Sequence, residues 1–183
     1  MFKPLPPNFH AHMFGLDVRL ATAEDAEFIL SLRTDENLSK NIHGTENDLH
    51  KHLLWFAKYK EREAEGRDYY FIYFKGGKPV GVNRTYNIYE YYGTPGSWIC
   101  KRDNDPNVSL ATYFFAREIQ FQILQLDLLV YDVRKANKKV WKMHKLLGAK
   151  NVGESEIDYY FTMNKTDYYQ NRDKVLRTLG IEI

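Results

Sequence analysis

Asn137 and His144 stand seven residues apart in a stretch that runs from Leu128 to Lys150. The residues between them predict a helix that begins near Asn137 and closes at Gly148. At ~3.6 residues per turn, seven residues put both side chains on one face, about 10.5 Å apart. An amide on that face can hold a ligand or cap its own helix. An imidazole titrates near ~6.5 and so can exchange a proton close to neutrality. The plainer reading is a strand–helix pair with a capping Asn and a packed His.

Other reactive groups are few. His50 and His52, two apart on a helix, point about 200° from one another and share no metal. His10 and His12 have no Cys or carboxylate beside them in their segment, so neither a structural zinc nor a catalytic metal is expected. Cys100 is the single cysteine, which excludes an internal disulfide and reads as an inert buried thiol in a reducing compartment. There is no phosphate loop of the Gly-x-x-x-x-Gly-Lys type, no dinucleotide fingerprint and no Gly-x-Ser-x-Gly elbow.

The elements that must position these groups follow from periodicity. Residues 1–13 read as an irregular arm because of Pro4, Pro6 and Pro7. Leu16 to Leu20 alternates apolar and charged residues as a half-buried strand does. Thr22 caps a helix whose first turn carries Glu24, Asp25 and Glu27 and whose buried face is Phe28, Ile29 and Leu32. A second helix is predicted from about Glu46 to Glu65 with Leu49, Leu53, Phe56 and Tyr59 inward and Gly66 as its stop. Tyr69 to Phe74, a Gly76-Gly77 turn and Pro79 to Ile88 read as a hairpin. Tyr89 to Gly96 reads as a connector before a short strand, Ser97 to Lys101. Asp105 or Asn107 then caps, with Pro106 near the first position, a helix from Val108 to Leu124 that is apolar almost all round and so lies buried between layers. A strand over Leu128–Val133, the helix with Asn137 and His144, a strand over Ile157–Met163 and a polar helical tail over 165–183 complete the order. That order, β-α-α-β-β-β-α-β-α-β-α, predicts one domain of α/β class, a sandwich on a mixed, largely antiparallel sheet.

Composition bounds the function. The chain has 183 residues, 44% hydrophobic and 15% aromatic, ample for a large core. A net charge of only +2 calls for neither nucleic acid nor an anionic membrane as partner. No apolar run approaches the ~20 residues of a membrane span, and the first residues lack the apolar core of a secretory signal, so a cytoplasmic location is expected.

The element order, with the residues at its joints, resembles the GNAT superfamily of acyl-CoA N-acyltransferases over roughly residues 16–168. The stretch DVRKANKKVWKMHKLLGAK is the strongest local match, supported by VRLATAEDAEFILSLR, GKPVG and GSWIC. The last of these resembles the branch with ribosomal-protein and amino-sugar acetyltransferases. The resemblance implies a three-layer sandwich with helices on both sheet faces and acetyl-CoA (coenzyme A) as cofactor. Its fourth and fifth strands splay around pantetheine, which pairs with the backbone of Trp98, Ile99, Cys100 and Lys101. The pyrophosphate lies on the amides of Asn107, Val108, Ser109, Leu110, Ala111 and Thr112, where a helix N-terminus favours an anion. Family members usually place a glycine-rich turn there; this chain has no glycine between Asp105 and Ala111, though Ser109, Ala111 and Thr112 are small.

Where the family often carries a Tyr, seven residues after the Asn, this chain has His144, which the resemblance makes the proton donor to the departing thiolate. Asn137 holds cofactor or caps its helix, and both roles can coexist. Lys142, in a stripe with Lys138 and Lys145, either meets the 3′-phosphate of coenzyme A or belongs to a solvated face. Arg84, Tyr86, Tyr89, Tyr91 and Trp98 are the acceptor-side material, suited to a sugar ring or a base and equally to sheet packing, and Glu90 is the candidate base.

The expected activity is transfer of an acetyl group to a primary amine of a small-molecule acceptor. The stretches LRTDENLSKNI, with Trp55 downstream, and DYYFTMNKTDYYQNRDK resemble GNAT proteins of surface-polysaccharide synthesis and point to a nucleotide-linked amino sugar. The alternatives are protein N-terminal or lysine acetylation and, from another class, a degenerate GNAT that binds without catalysis. A homodimer is compatible with each.

Overall fold

The strand Asp68–Lys75 (β3) shows why the chain folds in three layers. Its side chains alternate, and both sets are buried: Tyr69, Phe71 and Tyr73 enter one core cluster, Tyr70 and Ile72 the other. A strand apolar on both faces must be covered on both. In the computed structural model, which describes residues 4–42 and 44–180, it is.

Eight strands form one sheet: His10–Met13 (β1), Leu16–Leu20 (β2), β3, Lys78–Tyr86 (β4), Tyr92–Cys100 (β5), Leu128–Arg134 (β6), Lys150–Glu154 (β7) and Asp158–Asn164 (β8). Their spatial order is β1-β2-β3-β4-β5-β6-β8-β7, with every neighbouring pair antiparallel except β5 and β6. Ala26–Thr34 (α1) and Leu49–Ala64 (α2) pack through Ile29, Leu32, Phe56 and Tyr59 on one face. Pro106–Glu118 (α3) and Lys165–Leu179 (α5) fill the other through Phe114, Phe115, Tyr168 and Leu176, with Lys138–Leu146 (α4) alongside. Glu118, buried on α3, accepts hydrogen bonds from Tyr168 at 3.0 Å, Tyr169 at 2.8 Å and Arg172 at 3.0 Å, which pins the polar α5 to the core. The α/β sandwich with helices on both faces is as expected. No helix among the described residues is long and apolar enough to cross a membrane.

Several boundaries differ from the sequence reading, each for a local reason. The arm is not irregular throughout: His10–Met13 pairs with β2 through a Phe14-Gly15 turn in which both residues have positive φ, 53° and 65°, as a two-residue hairpin loop requires. Thr22 opens a short 3₁₀ turn, Ala23–Asp25, before α1, and the Asp25 carboxylate accepts from its backbone amide at 2.7 Å. The second helix starts at Leu49, capped by Asp48 rather than near Glu46. On it Leu53 faces outward and His52 inward. The supposed connector before Ser97 is mostly strand, because β5 begins at Tyr92 and ends at Cys100, leaving Lys101 outside. The long helix after Pro106 divides: α3 ends at Glu118 and Ile119–Ile123 winds as a π turn. Of the two proposed caps, Asp105 is the one used, accepting from the Asn107 amide. Finally, β7 carries too few apolar residues to read as a strand, since as the sheet's last strand it buries none of its side chains fully. The end of the predicted tail, residues 181–183, lies outside the described residues, as do 1–3 and 43.

Candidate active site

β5 and β6 run parallel, and parallel neighbours are joined only at Tyr92–Leu128 and Gly93–Leu129. Beyond Gly93 the two strands part. The cause sits on the other edge of β5, where Asn83 alone on β4 faces both Ser97 and Trp98, a bulge between the Val82–Ile99 and Arg84–Gly96 pairs. Ser97 takes φ +49°, a left-handed conformation that a non-glycine residue adopts only when held. Two side chains hold this bulge: Asn83 Nδ2 donates to the Gly96 carbonyl at 3.2 Å, and Arg33 Nη1 to the Ser97 hydroxyl at 2.8 Å. Gly96 is needed because a Cβ there would stand 2.8 Å from the Tyr86 ring.

A cavity of about 200 Å³ fills the gap, walled by Pro95, Gly96 and Trp98 of β5, Tyr131 and Val133 of β6, Tyr113 and Arg117 of α3, and Asn137, Val140 and His144 at and on α4. Two polar atoms of its walls, Tyr131 Oη and Asn83 Oδ1, are buried and meet no hydrogen-bond partner among the described residues. Such atoms cost roughly 1–3 kcal/mol each unless something joins them, which leaves both available to a water or a ligand in the cavity. The Asn137 side chain makes no cap bond to its helix and lines the cavity instead.

His144 is 4% exposed. Burial first, then the Arg117 charge, hold its imidazole well below the ordinary 6.5, so it is neutral at neutral pH. Its tautomer follows from its neighbours. Arg117 can only donate, and its Nε does so to Tyr113 Oη at 3.3 Å. The Tyr113 hydroxyl, 2.9 Å from His144 Nδ1, has its hydrogen available for that nitrogen, an assignment that leaves the imidazole proton on Nε2. Arg117 is itself steadied by Gln120 at 2.6 Å, and Gln120 donates to Thr85 at 2.9 Å.

At the mouth of the gap, α3 begins beside the end of β5. Thr112 Oγ1 accepts from the Trp98 indole at 2.9 Å and lies 3.2 Å from Cys100 Sγ. The first amides of α3 are engaged: Asn107 by the Asp105 carboxylate at 2.7 Å, Val108 and Ser109 by the Asp105 carbonyl at 2.9 and 3.3 Å. Burial raises the Cys100 thiol, in keeping with an inert cysteine.

No family model and no curated protein matches the sequence, but solved structures do. One described as apo FdhC, a nucleotide-linked sugar GNAT, superimposes with a TM-score of 0.81 at 29% identity, over 93% of this chain and 98% of that one. The chain has the fold of the GNAT acetyltransferases. RimJ of Mycobacterium smegmatis, solved with CoA-disulfide, shares the fold with a TM-score of 0.70 at 14% identity, over 91% of this chain and 90% of that one. The N-acetyltransferase PseH of Campylobacter jejuni does so with 0.63 at 18%, over 82% and 99%.

Two further chambers follow the splay cavity in a row. The middle one, about 180 Å³, shares Asn41, Ile42, Pro95, Gly96 and Asp132 with it and adds Arg33, Arg84, Tyr86, Ser97 and Arg134. The inner one, about 280 Å³, shares Arg33 and Arg84 with the middle chamber and continues under α2 between Lys51, His52, Trp55 and Tyr70 of β3. Arg84 is fixed by a two-pronged ion pair with the buried Asp68 and lies 5.1 Å from the Trp55 ring centre.

The structure brings together Trp98, Asn137 and His144 in one cavity, and Arg84 and Tyr86 in the next. It does not bring Glu90 or Tyr91 there. Both are exposed at the closed end of β5 and β6, where the Tyr91 carbonyl accepts from Asp127 and Leu128, opposite the end that splays. Ile99 turns its side chain into the α1–α2 core, so only its backbone faces the gap region. Lys101 spends its amide on Val80, and Lys142 stands exposed near the Trp141 ring. Tyr113, Arg117, Tyr131, Asp132, Arg33 and, on α2, Lys51 escaped the sequence reading, which took Trp55 only as a point of resemblance and His52 only as a metal ligand to set aside. The alternation of β6 was the one available signal, since it sets Tyr131 and Val133 on a common face.

Proposed function

We propose that the protein is an acetyl-CoA-dependent N-acetyltransferase whose acceptor is the primary amine of a nucleotide-linked amino sugar. The observation that carries this reading is the row of three chambers. A polar cavity between parted strands leads, through shared walls, to a cationic and aromatic one. The 29% identical relative described as a nucleotide-linked sugar GNAT supports the same acceptor class. No observation favours a protein acceptor or a non-catalytic binder.

The residues fit the reactive end of coenzyme A. The edge of β5 from Thr94 to Cys100 has no strand partner on the β6 side, and Asn137, Asn83 and Tyr131 bring polar atoms to the gap. Trp98, Ile99, Cys100 and Lys101 would offer backbone, Asn107, Val108, Ser109, Leu110, Ala111 and Thr112 the start of α3, and Lys142 a nearby charge. The Asp105 carboxylate occupies the Asn107 amide and opposes a pyrophosphate there. When bound, acetyl-CoA supplies an acetyl group activated by a thiolate leaving group.

The chain supplies the proton management. Asp132 is the carboxylate common to the splay cavity and the middle chamber, and it takes the proton of the acceptor ammonium. Tyr131 holds a phenolic proton, buried and uncommitted, for the sulfur side. His144 cannot play the part expected for a group titrating near neutrality, because it is neutral and gives up its last proton only as an imidazolate. It acts instead as a fixed N–H donor from Nε2 beside Tyr131, whose ring centre lies 4.7 Å away. A thiol-release assay with acetyl-CoA across nucleotide-linked amino sugars, polyamines and peptides tests the reading. Release with the first group is expected; release with peptides alone would overturn it.

A further inference from the structure

The inner chamber under α2 is larger than the acyl-transfer cavity, yet acyl transfer uses none of its residues. Its walls carry two polar atoms that meet no partner among the described residues, His52 Nε2 and Tyr70 Oη, on residues only 7% and 1% exposed. They come from different elements, α2 and β3, and both line the same space. Burial and the Arg33 charge lower the His52 imidazole, so it is neutral. A neutral imidazole and a phenol can each donate or accept, which suits the mixed edge of a heterocycle and not a phosphate, which accepts only.

The charges of the chamber are committed at its edge or stand at its neck: Lys51 and Glu46 pair with each other at 2.7 Å, away from the two neutral atoms. Arg33 and Arg84 stand at the neck shared with the middle chamber, and Trp55 lines the inner wall, its ring parallel to His52 at 5.6 Å between centres. Along the row, then, lie an amine-accepting end at Asp132, guanidinium groups in the middle, and an aromatic chamber with two uncommitted neutral polar atoms.

We propose that the inner chamber is the nucleobase site of a nucleoside diphosphate, with His52 and Tyr70 binding the base edge and Arg33 and Arg84 facing the diphosphate. This rests on the acceptor class proposed above. It adds which part of the acceptor the protein grips, and where. Unmade hydrogen bonds at the two atoms are satisfied on binding, which makes the base, not the sugar, the main handle.

The test is calorimetric titration of the whole protein with free UDP, dTDP, ADP and GDP, none of which needs to react. At least one is expected to bind in the micromolar range, and His52→Gln and Tyr70→Phe are each expected to weaken it by about tenfold. The acetyl-CoA-induced rise in melting temperature serves as the folding control and should persist in both variants. Failure of the two readings can be told apart. If nucleotide-linked amino sugars are acetylated while neither variant weakens nucleotide binding, the chamber assignment falls and the acceptor class stands. If no nucleotide binds and no nucleotide-linked sugar is acetylated, both fall.

Discussion

The splay cavity and the inner chamber are made in opposite ways. The first is a backbone construction: a bulge at Ser97 turns β5 from β6, and a few neutral groups, His144, Tyr131 and Asn83, look into the gap. The second is a side-chain construction, assembled from α1, the segment before α2, α2 itself, β3 and β4 around fixed cations. A cavity made by backbone is common to every chain of a fold. One made by side chains belongs to the individual protein. The proposed function accordingly puts chemistry in the first and specificity in the second.

The largest expected effect breaks the first region only. Tyr131→Phe removes the uncommitted hydroxyl with little change of volume, and kcat should fall by about 100-fold or more while the KM values for both substrates stay within about threefold. An unaltered kcat would remove Tyr131 as proton donor. Next, Asp132→Asn should lower kcat/KM for the acceptor by about tenfold at neutral pH and recover part of it at higher pH, where more amine is already neutral. A pH profile that drops evenly at all values would count against this role.

A third prediction concerns binding at the mouth. Asp105→Ala removes the carboxylate on the Asn107 amide and should lower the KM for acetyl-CoA by roughly three- to tenfold, even though it removes a helix cap and with it about 1 kcal/mol of stability. A raised KM would mean that the cap shapes the site more than its charge opposes the cofactor.

The smallest effect is on stability. The folded-state pKa of His144 lies below the ~6.5 of the unfolded chain, so between those values the unfolded state binds the extra proton. Its contribution is complete above about pH 6.5 and is lost as the pH falls below that. His52 behaves in the same direction. The melting temperature should therefore drop between pH 7.5 and 5, and drop less steeply in His144→Gln. Equal slopes would show that His144 is protonated in the fold. The pH–rate curve should likewise show no inflection near 6.5 that depends on His144.

Much of the architecture was legible because periodicity reports burial. Leu16 to Leu20, the Gly76-Gly77 hairpin, and Asn137 with Gly148 at the ends of α4 were all read close to where they stand. Misreadings occurred where a different constraint ruled. Gly93, Pro95 and Gly96 look like a connector, yet a bulged strand beside a gap tolerates them. On α2, Leu53 was expected inside and His52 was weighed only as a metal ligand, because the inward face there lines a polar chamber rather than a core. For the site, the resemblance led to Asn137, His144 and Trp98, which one strand–helix unit and one strand supply. It did not lead to Arg33, His52, Tyr70 or Asp132, which come from separate segments and meet only when the sheet and α2 close over them. The titration of His144 was misjudged for the same reason: the sequence does not show that Arg117 and Tyr113 stand beside it.

The central claim is that one groove joins acyl transfer to recognition of a nucleotide. Its most direct test compares two acceptors carrying the same amine, one as the nucleotide-linked sugar and one as the free amino sugar, by initial rates of thiol release. The structure predicts kcat/KM at least about 100-fold higher for the linked form, most of it in KM, as expected when remote contacts anchor the acceptor. Equal values for the two would contradict it, because the inner chamber would then have no part in choosing the acceptor.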